Sequence, residues 1–282
     1  MRLTEYLLVL SCPDRTGLIY AVTRWLLENG CNVLHSDTYK DPFRERFFMR
    51  VHFSGDVAPQ KLRKSFGPVA GELEMRWELV RADHRPRVLI MVSKHLHCLL
   101  DLLNRVRLGQ LQIDIPLIVS NHPDAEWLAN ANNIDYLHLP VTPAGKAEQE
   151  QRVVQEIDKH DIDFVVLARY MQIISPTLCE RLSGRMINIH HSFLPGFKGA
   201  KPYHQAYRRG VKLIGATAHY VTAQLDDGPI IAQDVQPVGH RMTPDELAAV
   251  GKDIERVVLA RAVQYHAQKR VLINGRRTVV FR

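Results

Sequence analysis

Residues 87–107, RVLIMVSKHLHCLLDLLNRVR, decide the fold of the larger part of this chain. The run RVLIMV is apolar without alternation, which is typical of a strand buried on both faces, and an amphipathic helix follows at about 96–107. The same rhythm continues, with strands predicted at 115–120, 134–139, 164–167 and 186–190 and helices at about 124–132, 146–160 and 176–182. Apolar strands joined by helices predict a Rossmann-like α/β domain with a mostly parallel sheet.

Downstream of this alternation, the sequence predicts two further strands, a long helix and a small hairpin at Asn274-Gly275. Upstream of it, the first 80 residues show the order βαββαβ, which predicts a ferredoxin-like fold. The predicted upstream elements are strands at 5–10, 32–39, 46–53 and 72–80, a helix with apolar residues at Leu18, Val22, Trp25 and Leu26, and a weak helix at 58–66. The charged segment 83–86 is interpreted as a linker, so the predicted domains are 1–82 and 87–282.

Composition places the chain among ordinary globular proteins, with 282 residues, 46% hydrophobic and 24% charged. No apolar run reaches the ~20 residues that cross a bilayer, so no membrane partner is expected. The four cysteines, Cys12, Cys31, Cys98 and Cys179, have neither metal-ligand nor redox spacing and suggest reduced thiols of a cytoplasmic protein.

The charge of the chain also bears on its partners. Lys and Arg number 37 against 30 Asp and Glu, a net charge of +7. The chain has no zinc-finger spacing, aromatic RNA-binding signature or dense basic helix, so no nucleic acid is expected. A small anionic substrate fits this modest excess of positive charge better.

Polar side chains cluster at the ends of two predicted strands. The segment Met186–Gly196, MINIHHSFLPG, places Asn188 and His190 on one face of a buried strand. A second strand leads into Thr222–Pro229, TAQLDDGP, which holds the first carboxylates after a long basic stretch. An amide, an imidazole and a carboxylate suit acyl transfer without a covalent intermediate, since the first two stabilise an oxyanion and the carboxylate orients water.

Each of these motifs also has an ordinary structural explanation. Asn-x-His on a strand is usually incidental, and Asp-Asp-Gly-Pro is more often a turn than a catalytic loop. Adjacent His190 and His191 diverge on a strand, so no metal is expected there. The absence of a G-x-S-x-G elbow argues against a serine hydrolase.

Three short sequence blocks occur in a fixed order around the polar side chains, and together they are more specific than any one block alone. Asn188–Pro195 (NIHHSFLP), Gly215–Tyr220 (GATAHY) and Leu225–Ile230 (LDDGPI) resemble the formyltransferase family that handles 10-formyltetrahydrofolate. The N-terminal block CPDRTGLIYAVTRWLLENGCNV resembles an ACT domain, a ferredoxin-like module that often binds amino acids and pairs with a copy of itself. The two domains in one chain resemble the formyltetrahydrofolate deformylase family over almost the whole length.

The resemblance implies a set of site residues. The family's catalytic Asn, His and Asp fall on Asn188, His190 and Asp226, and its folate-contacting stretch matches Ala168–Ile174. The side chains implied to bind the pterin are Tyr170, Met171, Ile174 and Thr222. An ordinary core role for Met171 and the isoleucines is the alternative. Lys198, Lys201, Arg208 and Arg209 are considered for the glutamate tail of folate, against a solvated helix face.

The same resemblance leaves a choice between two acceptors of the formyl group. The glycinamide ribonucleotide transformylase branch carries a glycine-rich phosphate loop after its first strand, where this chain has Met91–Leu99, MVSKHLHCL, without glycine. The tRNA formyltransferase branch adds a C-terminal domain that this chain replaces with a short basic tail. Water is therefore the expected nucleophile, with a formyltransferase acting on an unidentified amine, or a non-catalytic amino-acid and folate sensor, as the alternatives.

For the whole protein, the resemblance implies a hydrolase that releases formate and tetrahydrofolate. It further implies a role in one-carbon metabolism and in supplying formate for purine biosynthesis. It implies no metal and no cofactor, since folate is the substrate. Glycine or methionine is the implied effector at the ACT domain, and ACT pairing implies a homo-oligomer.

Overall fold

The chain forms two compact units. The computed structural model describes residues 3–142, 144–196 and 202–282. One unit contains the residues up to His84 together with Gln268–Asn274 and Val279–Arg282, and the other contains Arg85–Ala267 and Gly275–Thr278. No helix in these described ranges is both long and apolar enough to cross a membrane.

The first unit is a four-stranded antiparallel sheet with two helices. Its strands lie in the order β2-β3-β1-β4, and its elements follow the predicted sequence βαββαβ. Their bounds are β1 Thr4–Pro13, α1 Leu18–Glu28, β2 Asn32–Asp41, β3 Arg46–Gly55, α2 Pro59–Glu72 and β4 Arg76–Arg81. Alternate residues of β1, such as Leu8 and Leu10, are buried in one core with Val22 and Trp25 of α1.

Helix α2 corrects one expectation. The sequence predicted a helix that ends near residue 66 and a strand from 72, but α2 continues through Pro68 to Glu72 and β4 begins at Arg76. Proline normally interrupts a helix because it lacks an N–H donor. Here the turns on both sides of it are held by burial of Phe66 and Ala70 in the core, which outweighs the local preference.

The last residues of the chain are divided between the two compact units. Strands β12 Val271–Asn274 and β13 Arg277–Val280 form the predicted hairpin. Within the first unit, Asn274 Nδ2 donates to Asp41 Oδ2 at 2.5 Å, and Arg50 donates to the Gln268 carbonyl at 3.2 Å. These polar contacts join residues more than 200 positions apart, so sequence patterns do not indicate them.

The second unit is the predicted α/β domain. Its seven-stranded sheet has the order β11-β10-β9-β8-β5-β6-β7, parallel from β7 to β9 and antiparallel from β9 to β11. The strands are β5 Arg87–Val92, β6 Asp114–Ser120, β7 Asp135–His138, β8 Phe164–Leu167, β9 Met186–His190, β10 Leu213–Tyr220 and β11 Ile230–Pro237. The helices are α3 His97–Arg107, α4 Glu126–Ala131, α5 Lys146–Lys159, α6 Pro176–Arg181, α7 Pro202–Arg209 and α8 Pro244–Ala267, with a 3₁₀ turn at Pro123–Ala125.

The strand order fixes where ligands are expected. From β5 the chain passes to β6 and β7 on one side and then returns to β8 on the other side, so the order reverses between β5 and β8. Open parallel sheets bind ligands beyond the carboxyl ends of the strands at such a reversal. Ligands are therefore expected to contact the residues that follow β5, β8 and β9.

Candidate active site

Strand pairing brings an amide and two imidazoles together. In the antiparallel pair β9–β10, His190 lies opposite Thr217 and Asn188 lies opposite His219. Side chains two residues apart on a strand point to the same face, and directly opposite residues of neighbouring strands point to the same face as well. These four polar side chains therefore share one face of the sheet near the end of β9.

The turn after β10 carries the carboxylate. Asp226 adopts a left-handed backbone conformation with φ of 52°, which aspartate tolerates better than most residues. Two residues later Gly228 lies so close to the Tyr220 backbone that a Cβ atom there would overlap the Tyr220 carbonyl. The Tyr220 N–H also donates to the Pro229 carbonyl at 2.9 Å. Glycine at 228 thus allows the turn to fold back over the strand and hold Asp226 above it.

The three residues predicted to be catalytic converge in the structure. Asp226 Oδ1 lies 3.3 Å from His190 Nδ1 and 3.9 Å from His219 Nε2. Asn188 Nδ2 lies 3.3 Å from His219 Nε2. His190 Nε2, at the far side of the ring from Asp226, is buried and has no hydrogen-bond partner among the described residues. An orphaned buried ring nitrogen of this kind is available to a ligand.

Asp227 has a different environment. Its carboxylate pairs with the guanidinium of Arg276, and its side chain is 23% exposed against 12% for Asp226. Only the first of the two adjacent aspartates therefore faces the histidines.

His219 fixes the orientation of Asn188. Its Nδ1 lies 2.9 Å from the Tyr220 carbonyl, an acceptor, so Nδ1 carries the proton. Burial lowers the pKa of His219, which favours the neutral ring. The unprotonated Nε2 then accepts a hydrogen bond from the Asn188 amide, whose second N–H remains free to donate. His219 was not among the residues predicted to be catalytic, and its position opposite Asn188 in the β9–β10 pair is what reveals its role.

Electrostatics keep Asp226 charged. Burial is the largest single influence and raises the pKa of Asp226, but the hydrogen bond from His190 and the charge of that ring lower the pKa overall. Next to His190, burial and then the Arg169 charge lower the pKa of His191 to about 3, so this ring is neutral. The two rings are stacked with centroids 5.1 Å apart.

The loop that follows β9 is held by a buried hydroxyl. Thr217 Oγ1 donates to the Ser192 carbonyl at 2.9 Å and accepts from the Leu194 N–H at 3.0 Å. Gln233 of β11 donates to the same oxygen at 2.9 Å. These bonds fix the backbone directly after His190 and so limit its movement.

The residues predicted to contact the pterin fall into two groups. Tyr170 and Ile174 are buried in the hydrophobic core, and burial raises the pKa of Tyr170 to about 12. Met171 and Thr222 are exposed, Met171 to 54%. Ile173, which was not selected from sequence, is also exposed beside Met171 at the carboxyl end of β8. The pterin contacts stay predictions.

A cavity of about 330 Å³ adjoins His191 and Tyr203. The rest of its lining is Ser192, Phe193, Gly196, Ala206, Leu213, Ile214, Gly215 and Val235. It includes neither the three predicted catalytic residues nor the predicted pterin contacts, so it is a space separate from the site around His190.

Other sequence predictions bear on charged ligands and metals. Lys198 and Lys201 lie outside the described residues, and Arg208 and Arg209 are exposed on α7. Among the described residues, one group has donors suited to a metal ion: His97, Cys98 and Glu255, which the sequence did not bring together. Both Glu255 oxygens are already engaged, one by His97 at 2.7 Å and the other by Tyr203 at 2.6 Å, which is the geometry of an ion-pair network.

Comparison with known proteins relates this geometry to a family. Residues 86–263 match the model of the formyl transferase family. The chain is 46% identical over 281 residues to a formyltetrahydrofolate deformylase from Corynebacterium sp., covering 99% of this chain and 98% of that protein. A similar relative from Bacillus subtilis is 44% identical, covering 97% of this chain and 93% of that protein.

Solved structures agree with the sequence matches. A formyltetrahydrofolate deformylase from Burkholderia mallei superposes with a TM-score of 0.96 at 49% identity, covering 99% of this chain and all of that one. A glycinamide ribonucleotide transformylase from Symbiobacterium toebii superposes with a TM-score of 0.67 at 30% identity, covering 73% of this chain and 98% of that one. The second match extends over less of this chain and leaves out about a quarter of it.

Proposed function

The chain belongs to the formyltetrahydrofolate deformylases of the formyl transferase family, and we propose that Asn188, His190 and Asp226 hydrolyse 10-formyltetrahydrofolate to formate and tetrahydrofolate. The single observation that supports this assignment of roles is the convergence of the three side chains from two neighbouring strand ends, with Asp226 3.3 Å from His190. The proposal places the formyl oxygen at His190 Nε2, because this atom is buried and has no hydrogen-bond partner among the described residues.

Each side chain has a role that follows from its surroundings. Asp226 is ionised because its pKa is lowered, so it accepts a hydrogen bond from the attacking water and stabilises positive charge on His190. Water adds to the formyl carbon, and the charge that develops on oxygen is stabilised by the N–H groups of Asn188 and His190 Nε2. When the bond from the formyl carbon to N10 breaks, N10 takes a proton, which leaves formate, tetrahydrofolate and one released proton.

The experiment is to incubate the protein with 10-formyltetrahydrofolate and no amine and to measure formate. The proposal predicts continuous formate release by the wild type and a loss of about 10²-fold or more in Asp226→Ala, as for other preorganised catalytic groups. Asp227→Ala is the matched control, because that carboxylate pairs with Arg276 and not with His190. Equal turnover in wild type and Asp226→Ala refutes the assignment.

For the N-terminal unit we propose an ACT regulatory domain spanning 1–82. The ferredoxin-like order of its elements supports this, and a shift in melting temperature with glycine or methionine tests it. Domain 87–282 is then the catalytic one, with 83–86 as the linker. Four free cysteines support a cytoplasmic location.

A homo-oligomer is supported by the edge strand β2. This ten-residue strand lies at one edge of its sheet and is exposed along most of its length, with Val33, Leu34 and Tyr39 40–46% exposed. Long exposed apolar edges pair with other strands, and a second copy offers the same edge. Light scattering of wild type and Leu34→Lys tests this: the proposal predicts an oligomer that the substitution weakens, and a wild-type monomer contradicts it.

A further inference from the structure

The crevice at the reversal of strand order is filled by charged side chains of the chain itself. Arg169 follows β8 directly, and its backbone carbonyl accepts a hydrogen bond from Ser93, the residue after β5, at 3.2 Å. Ser93 in turn donates to Asn121 at 2.7 Å and accepts from the Met171 N–H at 3.0 Å. The carboxyl ends of β5 and β8 are therefore tied together at the place where a parallel sheet of this kind receives ligands.

Glu255 of α8 is the centre of this group. Its Oε2 lies 2.7 Å from His97 Nε2 and 3.4 Å from Arg169 Nε, and its Oε1 accepts from the Tyr203 hydroxyl at 2.6 Å. One turn earlier on the same helix face, Gly251 lies directly under the Tyr203 ring, where a Cβ atom would overlap it. We name Arg169, Glu255, His97 and Tyr203 the crevice cluster.

The crevice cluster adjoins the candidate active site. His191 lies between the two, with its ring 5.1 Å from that of His190 and 6.2 Å from that of Tyr203. An amine that approached the formyl carbon from the side of the crevice cluster would carry a substituent. That substituent would meet buried side chains that are bonded to one another.

Arg169 has two unusual features in the folded protein. Arg169 has a left-handed backbone with φ of 64°, which is rare for a long side chain. Its Nε and Nη1 are buried and form no hydrogen bond with any described residue, although Nε lies within ion-pair distance of Glu255 Oε2, at 3.4 Å. Replacing a whole buried ion pair by well-packed apolar side chains is often neutral or stabilising, so stability alone does not account for the Arg169–Glu255 pair.

We propose that the crevice cluster determines the specificity of this site for water by filling the side of the formyl carbon that an amine acceptor would occupy. This inference rests on the proposed hydrolysis of 10-formyltetrahydrofolate. In the reaction that the cluster prevents, an amine nitrogen bonds to the formyl carbon, the bond to N10 breaks, and the amine proton passes to N10. That reaction yields tetrahydrofolate and an N-formyl amine without formate.

The test measures how the formyl group is divided between water and glycinamide, the probe amine. For the wild type we expect formate only, at a rate that rising glycinamide leaves unchanged. Arg169→Gly removes the guanidinium at a position whose φ suits glycine, and His97→Ala opens the cluster from α3. In each variant the ratio of N-formylglycinamide to formate is expected to rise by about tenfold or more.

A matched control and a separate readout make the result decisive. The control variant is Glu156→Gln. Glu156 is a buried carboxylate on α5 that pairs with Arg152 and Lys159, and its replacement is expected to leave the ratio of N-formylglycinamide to formate unchanged. Formate release by the wild type without amine tests the proposed hydrolysis on its own. Formylation of glycinamide by the wild type overturns the cluster's role, as does a folded, hydrolytically active Arg169→Gly or His97→Ala that forms no N-formylglycinamide.

Discussion

The Asn188 amide is oriented by a hydrogen bond to His219 Nε2. His219→Ala removes the acceptor at 3.3 Å that orients the Asn188 amide, while Asn188 and its free N–H remain. One such hydrogen bond contributes about 1 kcal/mol, so kcat is expected to fall about fivefold. Asn188→Ala removes the proposed oxyanion donor altogether and is expected to cost roughly 2.7–4 kcal/mol, or 10²–10³-fold in kcat.

The two substitutions are expected to be non-additive. Once the Asn188 amide is gone, His219 has no amide to orient, so the double variant is expected to have the kcat of Asn188→Ala alone. The assay is steady-state formate release, with KM measured in the same experiments and expected to change little. His219 contributes no charge to this effect, because burial lowers its pKa and keeps the ring neutral.

His160→Ala is the matched control. This histidine is mostly buried, like His219, but it pairs with Glu156 on α5. Its carbonyl accepts a hydrogen bond from Arg87, the first residue of β5, so it lies near the amino ends of the parallel strands, whereas the site lies at their carboxyl ends. The His160→Ala substitution is expected to lower the melting temperature without lowering kcat. The reasoning fails if His219→Ala leaves kcat unchanged, or if the double variant loses a further fivefold beyond Asn188→Ala.

Three further predictions concern the candidate site and the crevice cluster. His190→Ala is expected to lower kcat by about 10²–10³-fold while folate binding, followed by fluorescence, stays near the wild-type value; a proportionate loss of binding contradicts it. Gly228→Ala is expected to lower both activity and melting temperature, because the added Cβ overlaps the Tyr220 carbonyl and moves Asp226; Gly239→Ala, where a Cβ meets open space, is the control, and equal behaviour of the two contradicts the argument. Glu255→Gln is expected to destabilise the fold by about 3–5 kcal/mol in urea at pH 7, because it leaves Arg169 buried without its carboxylate. Since the folded pKa of Glu255 is lowered, its contribution is present above pH 4.5 and is lost as the pH falls through the folded pKa, so the difference from wild type is expected to shrink in acid; a difference that grows below pH 4.5 contradicts the sign.

Sequence patterns predicted most of the architecture because both units depend on local periodicity. The apolar runs of β5 and β8 are unbroken, so nearby residues suffice to predict two buried strands. The order βαββαβ of the first unit likewise follows from patterns within its own residues. The end of α2 was missed because burial of Phe66 and Ala70 outweighs the effect of Pro68. The contact of Asn274 with Asp41 was not predicted because it joins residues that are distant in sequence.

The candidate site was only partly predictable from sequence. Spacing alone placed Asn188 and His190 on one face, but the choice of Asp226 over Asp227 came from family resemblance, and the pairing of Asp227 with Arg276 is visible only in three dimensions. The crevice cluster could not be predicted, because Glu255 lies 158 residues after His97 and no short motif links them.

Hydrolysis in water enriched in ¹⁸O tests the central claim most directly, because the claim is that solvent, oriented by Asp226, attacks the formyl carbon. Mass spectrometry of the product is predicted to show one ¹⁸O atom per formate from the wild type, formed at least about 10²-fold faster than from Asp226→Ala. Unlabelled formate, or labelled formate formed equally fast by both proteins, would contradict the account.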